Sequence, residues 1–309
     1  MTTSASHPPR LTAWAQLLRL PNLFTVPGDP LAGFVLAATA GATAGNMPLR
    51  LAAAMGASVL LYCAGLLQND YFDLAEDRRD RPDRPLPSGA LGPRTVIVVA
   101  FVLAGLGVVA SRLVNLPAGI AAGTLVVAMT AYNVGVKRVA VLGPVVMGLC
   151  RALSLLIGSA TLGWAAISAP AVVASACFLA AYIAAVTHIA ARETQQVDLG
   201  PYRHAPQVIV AAWFVALYAL RAPQGLVELL TSAALAALVL AWLGHCTSAL
   251  KGLAPPAVVQ RTVGRLVAAL PLIQAGIVVF IQPIGLLAAA ALLAAWVAAR
   301  RLARRFYAS

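Results

Sequence analysis

Residues 51–69 read LAAAMGASVLLYCAGLLQN, and residues 70–89 continue DYFDLAEDRRDRPDRPLPSG. The first stretch holds no Asp, Glu, Lys or Arg, and its length approaches the roughly 20 apolar residues that a helix needs to cross the hydrocarbon core of a bilayer. The second carries six acids and four arginines. An uncharged run that stops against a dense string of both charges reads as a membrane helix ending at a polar surface.

The rest of the chain repeats the first half of this pattern. Of 309 residues, 61% are hydrophobic and 10% charged, against about 25% charged in a soluble domain. Ten apolar runs stand out, at approximately 22–44, 51–69, 95–112, 117–136, 139–160, 169–190, 206–221, 225–245, 263–281 and 284–300, the last two parted by a turn at Gln282-Pro283. The expectation is an all-α polytopic transmembrane bundle of nine to ten spans, one domain over residues 1–309. Residues 1–15 form a short polar tail, and the first run reads as a retained span rather than a cleaved leader. Cys63, Cys150, Cys177 and Cys246 show no CxxC spacing and read as small core residues.

The net charge of +12 does not indicate nucleic acid, because the basic residues lie between apolar runs. With the connections numbered alternately, the N-terminal side holds Arg10, Arg19, Arg78, Arg79, Arg81, Arg84, Arg94, Lys137, Arg138, Arg192, Arg203, Lys251, Arg261, Arg265, Arg300, Arg301, Arg304 and Arg305. That is eighteen of the 22 Lys and Arg; the other side has Arg50, Arg112 and Arg221, and Arg151 falls within a run. Such asymmetry places the basic side, both termini included, in the cytoplasm of a multi-pass cell-membrane protein. Eight of the ten acids lie on the same side, in the connections 70–94 and 191–205.

If the second span stays helical to about Arg79, Asn69, Asp73 and Asp77 stack at i, i+4 and i+8, with Asp70 beside them. Stacked carboxylates repel unless a cation intervenes, and hard oxygen donors of this kind suit Mg²⁺ shared with phosphate oxygens. Arg78, Arg81 and Arg84 offer planar donors for phosphate. The alternative is a solvated loop of mutually neutralising charges.

The string Asn69-Asp70-x-x-Asp73-x-x-x-Asp77 followed by Arg84-Pro85-Leu86-Pro87-Ser88-Gly89 resembles the first motif of the UbiA superfamily of intramembrane prenyltransferases. Tyr132-Asn133-x-x-x-Lys137-Arg138 and Arg19-Leu20-Pro21-Asn22 are similar to two further elements of that family. The resemblance implies Mg²⁺-dependent transfer of a prenyl group from a prenyl diphosphate to an acceptor it does not identify, among membrane lipid. It implies metal ligands at Asn69, Asp70, Asp73, Asp77, Glu193 and Asp198. It implies diphosphate contacts at Asn22, Asn69, Arg78, Arg84, Lys137, Arg138 and Arg151, and catalytic roles for Asp73, Asp77, Lys137 and Tyr132. The two acidic connections would form the mouth of the site. The second departs from the family pattern: Glu193 and Asp198 stand five apart, off one helical face, and in this it resembles a UbiA-like EboC subgroup. A chain with the fold and without the chemistry, a transporter or lipid-handling protein, is the alternative function.

Inside the runs, Arg151 reads either as a cationic wall for diphosphate or as the partner of a carbonyl or of Asp29. Asp29 lies between Gly28 and Pro30, a broken-helix signature. His188 reads as an acceptor base or as hydrogen-bonded structure, while His7, His204 and His245 suggest no metal site. Trp164, Trp242 and Trp296 read as interfacial anchors. The charge split predicts that a reporter fused after Ser309 reads as cytoplasmic; a periplasmic signal would reduce the count to nine spans.

Overall fold

The computed structural model describes residues 10–38, 45–281 and 283–306. Fifteen helices follow in chain order: α1 (Arg10–Leu17), α2 (Leu20–Leu23), α3 (Gly28–Ala38), α4 (Met47–Phe72), α5 (Leu74–Asp80), α6 (Pro93–Val114), α7 (Leu116–Val134), α8 (Leu142–Ala160), α9 (Trp164–Ile167), α10 (Pro170–Ala190), α11 (Ala205–Leu220), α12 (Leu226–Ser248), α13 (Pro256–Ala268), α14 (Leu270–Val278) and α15 (Ile284–Phe306). A two-residue antiparallel pair, β1 (Val197–Asp198) with β2 (Leu253–Ala254), ties the 191–205 connection to the one before α13.

All ten apolar runs are helical. Eight segments are long and apolar enough to cross a membrane, and α3 is a shorter apolar helix of 11 residues. The seventh run forms α11, of 16 residues. The tenth, which reads as short, is a full 23-residue helix because the basic tail continues it. The ninth begins at Pro256 rather than at residue 263, so Arg261 and Arg265 sit on the amphipathic helix α13 and not in a connection. Residues 39–44 of the first run and Gln282 of the expected turn lie outside the described residues. Proline opens α4, α6, α7, α10 and α11 within their first turns, where its missing N–H costs nothing.

Helix α8 is a hub that packs on α3, α7 and α10. Against α3 the contact is backbone to backbone. A Cβ on Gly33 would strike the Leu155 carbonyl, and one on Gly158 would strike the Pro30 carbonyl. Small residues permit this approach where lipid supplies no hydrophobic drive. Helix α14 is wholly buried from Leu270 to Val278 and packs among α3, α11, α12, α13 and α15. Across the α3–α8–α14 contact lies a polar link. Arg151 on α8 meets Asp29 on α3, Nε to Oδ2 at 2.9 Å and Nη2 to Oδ1 at 3.1 Å. Gln274 on α14 donates to Asp29 Oδ1 at 2.5 Å, and Arg151 Nη2 also donates to the Thr25 carbonyl at 3.0 Å. The expected break is present: α3 starts at Gly28, leaving the Thr25 carbonyl free for the arginine.

On the opposite face, charges close helix ends. Arg50 Nη1 donates to the Thr161 carbonyl at 2.6 Å, and Asn115 Nδ2 donates to the Ala160 and Thr161 carbonyls at 2.9 and 2.8 Å. Arg221 Nε donates to the Phe280 carbonyl at 3.1 Å. These groups satisfy carbonyls that a helix C-terminus leaves open.

The glycine contact predicts a sharp contrast. Gly158→Val should destabilise the purified protein by about 1–3 kcal/mol or more through overpacking, read as a lower thermal midpoint in detergent. Gly105→Ala, inside α6 with open space around its Cβ, should leave the midpoint unchanged or raise it slightly, since alanine favours helix over glycine.

Candidate active site at the mouth of the bundle

Helix α4 ends at Phe72, and Asp73 takes φ −90°, ψ 0°, before α5 resumes at Leu74. The one-turn backbone bonds survive the break. Asp73 N–H donates to Asn69, Asp77 N–H to Asp73 and Arg81 N–H to Asp77, at 3.0, 2.8 and 2.8 Å. Asn69, Asp73, Asp77 and Arg81 therefore continue one stripe through the bend. All four line a polar cavity of about 370 Å³ with Arg19, Glu76, Asp80, Arg84 and Thr194.

Each stripe carboxylate meets a cation. Lys137 Nζ lies 2.5 Å from Asp73 Oδ1 and 3.2 Å from Asn69 Oδ1. Arg84 Nη1 bonds both oxygens of Asp77, at 3.0 and 2.8 Å. It reaches back because the Pro-rich segment folds as consecutive turns, closed at Gly89 with φ +82°, a conformation that costs glycine little. Arg19 Nη2 approaches Asp70 Oδ1 at 3.5 Å from a left-handed backbone, φ 46°, ψ 55°, a conformation uncommon outside glycine and typical of over-determined sites. Its position is set by α1, whose Ala13 and Leu17 pack on Leu67, Leu86 and Leu91.

A second, mostly apolar chamber of about 260 Å³ adjoins the first and shares Arg19 and Asn69 with it. Ser58, Leu61, Tyr62, Gly65, Leu66 and Asn69 form its α4 wall, a helical stripe about 16 Å long at 1.5 Å per residue. Tyr132 and Asn133 of α7 and Cys150, Arg151 and Ser154 of α8 face it from the other side.

The structure thus gathers Asn69, Asp73, Asp77, Arg84 and Lys137, and sets Tyr132 and Arg151 in the adjoining chamber. Several expected residues stand elsewhere. Arg78 is exposed and lines neither cavity, being one residue past the Asp77 position and so about 100° off the stripe. Arg81 occupies the position expected for it. Arg138 follows Lys137 in a 3₁₀ turn and is exposed, rotated about 120° away. Asp70 is buried against Arg19, behind the cavity wall. Asn22 lines neither cavity, and its carbonyl accepts from Thr25 Oγ1 at 2.7 Å. Asp198 is exposed on β1 and accepts from the Gly200 N–H at 2.9 Å, which turns the chain. Glu193 reaches the rim, 4.0 Å from Arg81, and Thr194 joins the cavity lining. His188 packs edge-on against Tyr202, outside both cavities. Arg151 is the ion partner of Asp29, the second of its two sequence readings, while still facing the chamber.

Arg19, Glu76, Asp80 and Thr194 are the lining residues that local spacing did not single out. Glu76 and Asp80 each lie one position before a stripe residue, Asp77 and Arg81, a helical signal present in the sequence. Arg19 and Thr194 arrive by tertiary packing. Among the described residues, no three His, Cys, Asp or Glu side chains converge as a preformed metal cage. The donors present are hard oxygens on one wall, which fits Mg²⁺, an ion bound through one or two carboxylates and completed by substrate oxygens and water.

Comparison with known proteins agrees with this architecture. A solved UbiA homologue from Archaeoglobus fulgidus, bound to GPP and Mg²⁺, superposes with a TM-score of 0.63 at 14% identity, over 92% of this chain and 99% of that one. A structure of a digeranylgeranylglyceryl phosphate synthase superposes at 0.62 with 18% identity, over 89% and 99%. Among curated relatives, the digeranylgeranylglyceryl phosphate synthase of Ignicoccus hospitalis is 32% identical over 158 residues, 50% of each chain. That of Metallosphaera sedula is 35% identical over 145 residues, 46% of this chain and 49% of that one. The chain spans about half the length of the curated relatives it matches. Residues 31–251 match the UbiA prenyltransferase family. With that match over most of its length, helices built to cross a bilayer and the acid–arginine mouth in place, this chain is a multi-pass membrane protein belonging to the UbiA prenyltransferase family.

Proposed function

We propose that the chain transfers a prenyl group from a prenyl diphosphate to an acceptor held inside the membrane, with Mg²⁺ at the diphosphate. The observation that carries this reading is the junction of two unlike spaces. A cavity lined by Asp73, Asp77 and three arginines, Arg19, Arg81 and Arg84, opens at Asn69 and Arg19 onto an apolar chamber. An amphiphile with an anionic head and a hydrocarbon tail matches that junction. The relatives named as digeranylgeranylglyceryl phosphate synthases, and homologue structures bound to GPP or DMAPP with Mg²⁺, support the same donor class. The charge asymmetry of the connections favours a cytoplasmic mouth.

Asn69, Asp73 and Asp77 would hold the metal, whose positive charge offsets the charge that builds on the leaving diphosphate. Arg84 and Lys137, now paired to Asp77 and Asp73, would be free to turn to the diphosphate oxygens when those carboxylates hold the ion. Arg81 and Arg19 line the same cavity and add donors from its other walls. The bond between the allylic carbon and the diphosphate oxygen breaks, and both electrons leave with the oxygen. The carbon left electron-poor lies toward the chamber, where the Tyr132 ring offers a π face to a cation. An acceptor atom then supplies the new bond and loses its proton to water at the open mouth, beside Glu76 and Asp80. The apolar walls keep water from capturing the cation first.

Turnover of a labelled prenyl diphosphate against Mg²⁺ concentration tests this reading. Asp73→Ala should lower turnover by about 10²–10³-fold, the usual size for losing one preorganised electrostatic contact. Asp198→Ala lies outside the cavity and should stay within a few-fold of wild type, as for substitutions of about 0.5 kcal/mol or less. Equal damage from both would restore Asp198 as a metal ligand. If neither variant changes turnover, or none is detectable in wild type, the transporter reading replaces this one.

A further inference from the structure

The transfer chemistry at the mouth leaves one feature of the chamber unused. Its inner wall carries a guanidinium, yet that wall bears no net charge. Arg151 is matched by Asp29, which is 0% exposed and held also by Gln274. By contrast, the cations that can meet an anion lie in the outer cavity, where a divalent ion can share the charge. A third, unmatched charge beside the Asp29–Arg151 pair would have no partner in a low-dielectric interior, a cost of several kcal/mol.

The same wall is rich in hydrogen-bonding groups. Nη2 and Nε of Arg151 face Thr25 and Asp29, while Nη1 makes no hydrogen bond to any described residue. On a helix such as α8 the side chain leans toward the N-terminal end, here the end bearing Lys137 and the mouth. Ser58 and Ser154, joined at 2.6 Å, contribute two hydroxyl oxygens to the chamber lining. Tyr132 and Asn133 line it on the α7 side.

We infer that the acceptor housed in this chamber is an uncharged molecule that presents a hydroxyl or carbonyl oxygen to Arg151, and that Asp29 sets this preference by neutralising the arginine. The inference rests on the proposed prenyl transfer and narrows it. It separates this chain from relatives whose named product carries a phosphate.

Cys150 lines the same chamber beside Arg151 and provides a readout that needs no catalysis. The full-length protein in lipid nanodiscs is alkylated with N-ethylmaleimide, and labelling at Cys150 is measured by peptide mass spectrometry, with the exposed Cys177 as internal reference. The probes are matched pairs: 4-hydroxybenzyl alcohol with 4-hydroxybenzoate, and 1-O-octylglycerol with its 3-phosphate. The neutral member of each pair should protect Cys150 at a concentration on the order of a hundredfold lower than the anion, the ratio expected for burying one unmatched charge. In Asp29→Asn the arginine becomes unmatched, and the preference should collapse or reverse toward the anion. Wild-type protection by the anions as good as by the neutral members, or protection by neither, overturns the inference without need of the variant. An unchanged ratio in a folded Asp29→Asn protein also overturns it. Diphosphate release on the same preparations is scored separately. If release is absent while the protection pattern holds, prenyl transfer fails and the neutral site stands.

Discussion

A full charge cannot rest in the hydrocarbon interior unless something answers it, and the Asp29–Arg151 contact is where this chain meets that condition. The two residues stand 122 positions apart and join α3 to α8. Gln274 brings in α14, 245 positions from Asp29. Glycines on α3 and α8 let the two backbones close to touching distance, and the side chains of the link meet across that contact. The break between α2 and α3 also leaves the Thr25 carbonyl to accept from the arginine. Much of the inner chamber wall follows from this one junction: α8 cannot shift without exposing a carboxylate to lipid.

The mouth follows a different rule. Its ion pairs border a cavity open to water, although the Asp70 and Asp77 carboxylates are themselves buried. Their arrangement, with a basic side chain against each of Asp70, Asp73 and Asp77, is better understood as a held state. Under the proposed function a divalent ion and an anionic substrate would exchange for the partners of Asp73 and Asp77 with little net change in charge. In the inner pair Asp29 is fully buried, whereas Asp73 and Asp77 with their partners border the open cavity, and Asn69 and Arg19 sit where the two regimes meet. The left-handed backbone at Arg19 shows that its place there is imposed by the packing of α1 on α4 and the turn segment.

The face opposite the mouth has few charges, and two of its arginines are already committed. Arg50 and Arg221 close carbonyls at helix ends rather than standing free in solvent. This sharpens the asymmetry of the chain, since such side chains contribute backbone satisfaction more than loop charge. Asn115 plays the same part, capping α7 through Ala118 while closing the end of α8. Three helices are thereby clasped at the far side, while the near side stays open around its cavity.

The sequence by itself determined what depends on local order. Over the described residues the ten apolar runs became helix, the first and the ninth each in two pieces, because a backbone in lipid has few other ways to satisfy its polar groups. The spacing of Asn69, Asp73 and Asp77 became one lining stripe because helical periodicity survives the bend at Asp73. Tertiary structure decided what depends on how helices cross. Periodicity puts Arg81, not Arg78, on the stripe of Asn69, Asp73 and Asp77, but that this stripe faces a cavity shared with Arg19 and Thr194 depends on the direction in which α5 leaves α4. Nothing near residue 198 signals that Asp198 would be spent on a turn within a β pair. Arg151 admitted two readings until α3 and α14 were in place around it, and Arg19 and Thr194 join the site only through packing. The physical reason is the same in each case: side-chain direction along one helix is fixed by a repeat of 3.6 residues, but the partner a side chain meets is fixed by contacts among segments far apart in the chain.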